Sequence, residues 1–528
     1  SKIVANNNIA WNSVYYVINK LKKNTDYCIS SDLLVTSGKA FSQIFYGDAI
    51  DNTKVIKTYL TSIGTSAKYT TTFNTGDNET ITISFCTAVA NSVWELSNIQ
   101  LEEGTQATPY ETYKESGVQW LGEIPGHWEV KPIRSILTES EEKSESGQEE
   151  LLSLSQYTGV SYKKDAGKTG MFEAESTIGY KKVHPGQFVM NIMLAWNGSY
   201  AVSALEGIIS PAYCVFDFKA NDDKMYFHYL WRTGIYQGAF KTESRGIIES
   251  RLRLYPNKFL PFPTIYPPLN EQHVIVSYLD DKCGKIDEWV AQKQKEVELL
   301  GEMKQRVIAD AVTRGLNPNV KMKATNIPWL PEVPEHWEIL RAKHMFNKEQ
   351  RPIEDGDEIV TCFRDGEVTL RKNRRTTGFT EATDYSHYQH ICKGDLVIHQ
   401  MDAFAGSAGV SDSNGMGTPV LSVCTPKSEN ILNEYYAHIV RLMGKNGFIL
   451  SLYRGIRERS SDFRFDTFAN LWLPVPPIEE QKQIVDYIND KTSKIDKLIA
   501  NINKEIEGIK EYKQRLISNV VTGQIKVC

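Results

Sequence analysis

At 528 residues, 41% of them hydrophobic and 11% aromatic, the chain exceeds a single core, since cores rarely grow past about 250–300 residues. No apolar run reaches the roughly 18 residues of a membrane span. Eight singly placed cysteines without a CxxC pair argue against a zinc ribbon or disulfide scaffold and for a reducing cytoplasm, and a net charge of −5 neither advertises nor excludes a local nucleic-acid groove.

The opening Ser1-Lys2-Ile3-Val4-Ala5-Asn6 lacks the charged-then-apolar layout of a secretory signal, and the missing initiator Met points to processing or a piece of a longer gene. Residues 1–112 are rich in Thr, Ser, Asn and aromatics. Alternating runs such as Thr80-Ile81-Thr82-Ile83-Ser84-Phe85 predict a β-sandwich. Residues 21–30 and 96–111 resemble carbohydrate-binding-like jelly-roll modules of phage tail and surface proteins. Trp11 and Trp94 stand equally as core residues or as sugar platforms.

From about Tyr113 onward the chain repeats itself. Trp120-Leu121-Gly122-Glu123-Ile124-Pro125-Gly126-His127-Trp128-Glu129 returns as Trp329-Leu330-Pro331-Glu332-Val333-Pro334-Glu335-His336-Trp337-Glu338, an offset of 209 from 120 to 329. Pro267-Pro268-Leu269-Asn270-Glu271-Gln272 returns at the same offset as Pro476-Pro477-Ile478-Glu479-Glu480-Gln481, and Lys304-Gln305-Arg306 as Lys513-Gln514-Arg515. Between these anchors the match slips by one residue: Gly186-Gln187-Phe188-Val189 aligns with Gly394-Asp395-Leu396-Val397, and Gly198-Ser199 with Gly406-Ser407.

Each copy opens with about 150 residues of short β-rich runs, Gly186–Met190, Val202–Leu205 and Gly394–His399 among them, broken by Gly, Asn, Asp and Ser. These read as compact mixed α/β domains over 113–268 and 326–476, with Trp128 and Trp337 as core aromatics rather than base-stacking platforms. Each copy closes with a helix, 269–325 including its linker and 477–528, begun after a Pro-Pro stop with Glu271 or Glu480 near the positive N-terminal end. The apolar rhythm Leu279, Cys283, Ile286, Val290, Lys293, Val297, Leu300, Lys304, Val307, Ala311 is a heptad seam. It recurs as Ile488, Thr492, Ile495, Ile499, Ile502, Ile506, Ile509, Lys513, Leu516, Val520. Antiparallel pairing of two such helices, each about 60 Å long, would hold two similar domains at opposite ends of a rod, with Lys304 and Lys513 snorkelling near the ends of the seam.

Catalytic constellations are missing from the sequence. An amino-methyltransferase needs an Asx-Pro-Pro-aromatic loop, whereas the Pro-Pro pairs here are flanked by Tyr266 and Leu269, and by Val475 and Ile478. No GxxxxGK[ST] loop for ATP occurs. His387, His390 and Cys392 are close in sequence but lack a second CxxC or HxxxH half, so no metal is expected. Matching basic stretches suit DNA contact: Lys163, Lys164 and Lys168 against Arg371, Lys372, Asn373, Arg374 and Arg375. A second pair is Arg245 with Arg251 and Arg253 beyond it, against Arg454 with Arg457 and Arg459. The alternative for each single residue is a solvated loop.

The duplicated opening motifs and the junctions Pro261-Phe262-Pro263-Thr264-Ile265-Tyr266-Pro267-Pro268-Leu269-Asn270-Glu271-Gln272 and Leu473-Pro474-Val475-Pro476-Pro477-Ile478-Glu479-Glu480-Gln481 closely resemble the specificity subunits of Type I restriction-modification enzymes. The resemblance covers about 113–528. It departs where Gly122 becomes Pro331 and where Val521-Thr522-Gly523 stands against Val312-Thr313-Arg314. It implies an α/β multidomain chain: two mixed α/β target-recognition domains separated by an antiparallel two-helix coiled coil, plus the N-terminal β-sandwich. It also implies a non-catalytic subunit that reads a bipartite, asymmetric site on double-stranded DNA and works with methyltransferase subunits, two of them, and restriction/translocase subunits. S-adenosylmethionine, ATP and magnesium would be used by those partners and not by this chain. The β-sandwich leaves a rival reading, a phage tail or surface-binding protein that has borrowed the two-domain scaffold.

Overall fold

The computed structural model describes residues 3–7, 13–50, 52–61, 66–87, 89–107, 112–165, 176–246, 252–375, 377, 384–452 and 462–527. Two compact units emerge, one of Ser1–Tyr278 with Leu516–Cys528, the other of Leu279–Arg515. The expected fold class is borne out in its elements: a β-sandwich, two mixed α/β domains and two long antiparallel helices.

The sandwich pairs two four-stranded antiparallel sheets, ordered Ile3–Asn7, Ser92–Glu103, Asp26–Ser37, Ser66–Asn74 and Ser13–Ile18, Ile81–Thr87, Ala40–Tyr46, Val55–Thr61. Tyr27, Leu33, Ile44, Ile83, Phe85 and Trp94 fill the space between them. The alternating run at Thr80–Phe85 becomes a strand whose seven residues are all buried, so both of its faces are covered. Trp94 is core: it is 1% exposed and its Nε1–H points to Thr87 Oγ1 at 3.3 Å. Trp11 lies outside the described residues.

The two α/β domains share one sheet topology. In the first, Leu137–Glu139, Tyr213–Phe218, Phe188–Asn191 and Tyr200–Val202 lie side by side. In the second, Phe346–Glu349, Leu421–Pro426, Leu396–His399 and Ala408–Val410 repeat that order. Gly198 and Gly406 each end a one-turn 3-10 helix at φ 90° and 98°, a conformation that costs a Cβ-bearing residue and suits glycine. The expected strand Val202–Leu205 stops at Val202. Beyond it the Ser203 hydroxyl donates to Leu205 O and accepts from Leu205 N, a local turn that competes with the ladder.

The long helices run Leu269–Arg314 and Ile478–Val521. Each starts within two residues of its Pro-Pro pair, where a missing N–H costs nothing. Val290, Ile502 and Ile506 are buried together, flanked by Ile286, Val297, Leu300 and Ile509, so the heptad rows do form the seam. A fully buried Ile or Val contributes about 1.5–3 kcal/mol. No described helix is long and apolar enough to cross a membrane.

Candidate nucleic-acid interface

Each domain is locked to the start of its own long helix by one carboxylate. Trp128 Nε1–H donates to Glu271 Oε2 at 2.8 Å, and His127 Nε2 lies 2.7 Å from Glu271 Oε1. In the second copy Trp337 Nε1–H donates to Glu480 Oε2 at 3.0 Å, with His336 Nε2 2.8 Å from the same oxygen. Both tryptophans are buried, as core residues, and are not free to stack on bases. The adjoining glutamines finish the joint. Gln272 accepts from Asp223 N and donates to Pro267 O; Gln481 accepts from Leu432 N and donates to Asn430 O and Pro476 O. In the sequence these Glu-Gln pairs read as helix-start residues, with direct partner contact as the alternative, and the clamp is missed. Its one signal there is the equal spacing from 127 to 271 and from 336 to 480.

The far end of each long helix is held by the other copy's domain. Tyr226 Oη donates to Val521 O at 2.9 Å, and Tyr435 Oη to Val312 O at 2.7 Å. All four residues are related by the offset of 209, as 226 to 435 and 312 to 521. Ile308, Ala311 and Val312 of the first helix, with Ile484 and Ile488 of the second, join the second domain's core.

The basic stretches occupy equivalent places. Lys163 N donates to Leu151 O at 2.8 Å, and Arg371 N to Ile359 O at 2.7 Å. Lys164 Nζ lies 3.1 Å from Glu150, and Lys372 pairs with Glu358 in the same way. Hydrogen bonding to Glu150 raises the Lys164 pKa. Arg374 spans Asp365 at 2.7 Å and Glu367 at 2.8 Å and lies over the Phe363 ring at 4.3 Å. Asn373 Nδ2 donates to Thr369 Oγ1 at 2.8 Å. Arg375 Nε donates to Thr377 O at 3.3 Å. Several cations expected to face DNA are therefore matched by acids in the adjoining loops and turns. Arg245 is exposed and exchanges two backbone hydrogen bonds with Arg253. Lys168, Arg251, Arg454, Arg457 and Arg459 lie outside the described residues.

His390 is not grouped with His387 and Cys392. Its Nδ1 lies 2.8 Å from Asp357 and its Nε2 4.0 Å from Glu354, while Cys392 N donates to Asp395.

Residues 334–508 match the sequence model of the Type I restriction modification DNA specificity domain. The chain is 24% identical over 426 residues to the Type I restriction enzyme MjaVIII specificity subunit of Methanocaldococcus jannaschii, which spans 76% of this chain and 94% of the relative. It is 22% identical over 279 residues to the Type I restriction enzyme EcoBI specificity subunit of Escherichia coli, 49% of this chain and 57% of the relative. Among solved structures, a chain from a study of complex assembly and conformational transition in the type I R-M system is similar at a TM-score of 0.54 and 14% identity. It covers 76% of this chain and 99% of itself. That likeness is one of fold.

Proposed function

We infer that this chain, similar along its repeated part to Type I specificity subunits, is the DNA-sequence-reading subunit of a Type I restriction-modification complex. The carrying observation is the duplicated domain-and-helix unit, one copy of which bears the specificity-domain match. Two domains of one fold with different basic stretches suit two half-sites of different sequence, which makes the site bipartite and asymmetric.

The chain lends specificity and performs no chemistry. The reading rests on Pro-Pro pairs that lack the Asx and aromatic neighbours of a methyl-transfer loop and on the missing phosphate-binding loop. Methyl transfer belongs to methyltransferase subunits using S-adenosylmethionine, and cleavage to restriction subunits using ATP and magnesium. The near-identical clamps at Glu271 and Glu480 offer two equivalent framework surfaces, which suits two methyltransferase copies.

The deciding experiment is methylome sequencing of a host that expresses this chain with a cognate methyltransferase subunit, against hosts expressing either alone. Methylated adenine in one split, asymmetric motif is expected only with both. Methyl transfer by the purified chain alone would overturn the non-catalytic assignment, and methylation without a common motif would overturn the reading role.

A further inference from the structure

The helix Asn433–Lys445 of the second domain carries His438, Arg441 and Lys445 at spacings that place all three on one face. Together with Gln305 and Ile308 of the first long helix they border a shallow recess of about 10 Å³, open to solvent at its mouth. No hydrogen bond or ion pair is made by any of the three side chains among the described residues, and His438 Nδ1 and Arg441 Nε are fully buried without a partner. A buried guanidinium left unpaired is costly, so a fold keeps one when something else supplies the partner.

The first domain serves as an internal control. Arg232 stands where Arg441 does, at the offset of 209. There the helix Lys224–Trp231 stops after 8 residues, and Arg232 donates to Tyr200 O at 2.9 Å, to Gly198 O at 3.5 Å and to Gln156 O. In the second domain the helix continues to 13 residues. Gly444 lets this added turn pack closely on the backbone of Ala403–Ala405, and Lys445 projects from it. Position 229 is Tyr where 438 is His. The fold itself therefore does not require a cluster of unpartnered cations here.

We propose that His438, Arg441 and Lys445 form an oxyanion pocket that takes one phosphate of the DNA backbone when the second domain engages duplex DNA. The inference rests on the reading of that domain as a DNA binder and adds a contact to it. Two cations and a neutral imidazole suit a phosphate, which has several acceptor oxygens and one negative charge to share. Burial pushes the Arg441, Lys445 and His438 pKa values down, that of His438 to about 4, and a bound anion would relieve this pressure on each. Asp365, the acid facing Arg441, also holds Arg374 of the basic stretch, so the pocket continues the candidate interface. Lys304, the other nearby cation, is already paired with Asp496. Such a contact would fix the domain's register on DNA and carry no base preference.

The test uses the full chain and a long random-sequence duplex, with affinity followed from about 50 to about 200 mM salt. Arg441→Gln and Lys445→Gln should each weaken binding roughly tenfold at low salt and flatten the slope of log affinity against log salt, the two together by about 0.9 for the one phosphate no longer neutralised. Arg441→Lys should keep most of the slope. Lys445 is exposed, so its variant keeps the test open if Arg441→Gln misfolds, and thermal unfolding checks both. Unchanged slopes in folded variants would overturn the pocket while leaving the DNA reading intact. Unchanged DNA binding with impaired assembly onto the methyltransferase subunit would also overturn it, by showing that a partner's carboxylate is the occupant. A wild-type chain that binds no duplex at low salt would bring down both inferences together.

Discussion

Lys304 Nζ lies 2.6 and 2.7 Å from the two carboxylate oxygens of Asp496, and Lys513 Nζ stands at the same two distances from Asp287. Exchanging the copies exchanges these ion pairs, as 304 goes to 513 and 287 to 496. The helices thus meet as two halves of an isologous contact within one chain. The lysines do more than snorkel: each reaches across the seam to an acid of the opposite helix, which favours the antiparallel register.

Because these pairs are partly exposed, their net value is small. Asp496→Lys should destabilise the chain by about 1 kcal/mol through like-charge contact with Lys304, and adding Lys304→Asp should restore most of the loss. Urea unfolding of the two single variants and the double variant measures the coupling. A cost for Asp496→Lys that is the same in both backgrounds would show that the pair is incidental.

The Glu480 clamp should matter more. Glu480→Ala leaves the buried Trp337 N–H without an acceptor, a loss of about 1–3 kcal/mol, while Glu480→Gln keeps an acceptor oxygen and should lose less. Glu271→Ala should behave alike at Trp128. Equal destabilisation by the Ala and Gln variants in denaturant titrations would mean that charge, not the indole hydrogen bond, sets the clamp.

The coiled coil was legible in the sequence because a 4-3 apolar row is itself the cause of helix pairing, and the repeat made the second domain readable from the first. What escaped were contacts set by tertiary placement. Nothing near Trp337 in the chain marks Glu480 as its acceptor, since the fold brings together residues 143 apart. The charge balance of the 371–375 stretch escaped for the same reason: Glu358 and Asp365 face it only once the strands pair. At Val202–Leu205 the β-pattern was real, but the Ser203 hydroxyl offered the backbone a turn instead. His438 and Arg441 belong to no motif in the sequence. Only the comparison with the shorter first-copy helix marks them.

The acids beside the basic stretch yield a two-sided prediction. Replacing Arg371, Lys372, Arg374 and Arg375 with Ala should weaken binding through the second half-site and flatten its salt dependence by about 0.9 for each phosphate that is no longer neutralised. Glu358→Gln should do the reverse, tightening binding by freeing Lys372 from its exposed pair. If affinity and slope stay put in both, the stretch is solvated surface.

Residues 1–112 fall outside the duplicated unit, and both clamps are complete without them. Their removal should leave the methylated motif unchanged when truncated and full-length chains are compared with the same partners by methylome sequencing. A different motif in the truncated chain would make the β-sandwich part of the reader.

Acid should destabilise the chain through two buried imidazoles. Burial pushes His228 down to about 4, with Arg232 adding to it, and burial with Arg441 does the same to His438. His228 Nδ1 accepts from Val202 N at 3.3 Å, as a neutral ring can. In the unfolded chain both rings titrate near 6.5. As pH falls from about 6.5 to about 4 the unfolded state takes up protons that the folded state refuses, so stability drops across that window and levels off below it. Lowering each ring from 6.5 to about 4 corresponds to a loss on the order of 3 kcal/mol. His228→Gln keeps an acceptor for Val202 N but cannot titrate. Its urea midpoint should therefore fall less between pH 7 and pH 4 than that of the wild type. Parallel curves for the two proteins would remove His228 from the account and place the acid sensitivity in His438 or in the carboxylates that share the described ion pairs.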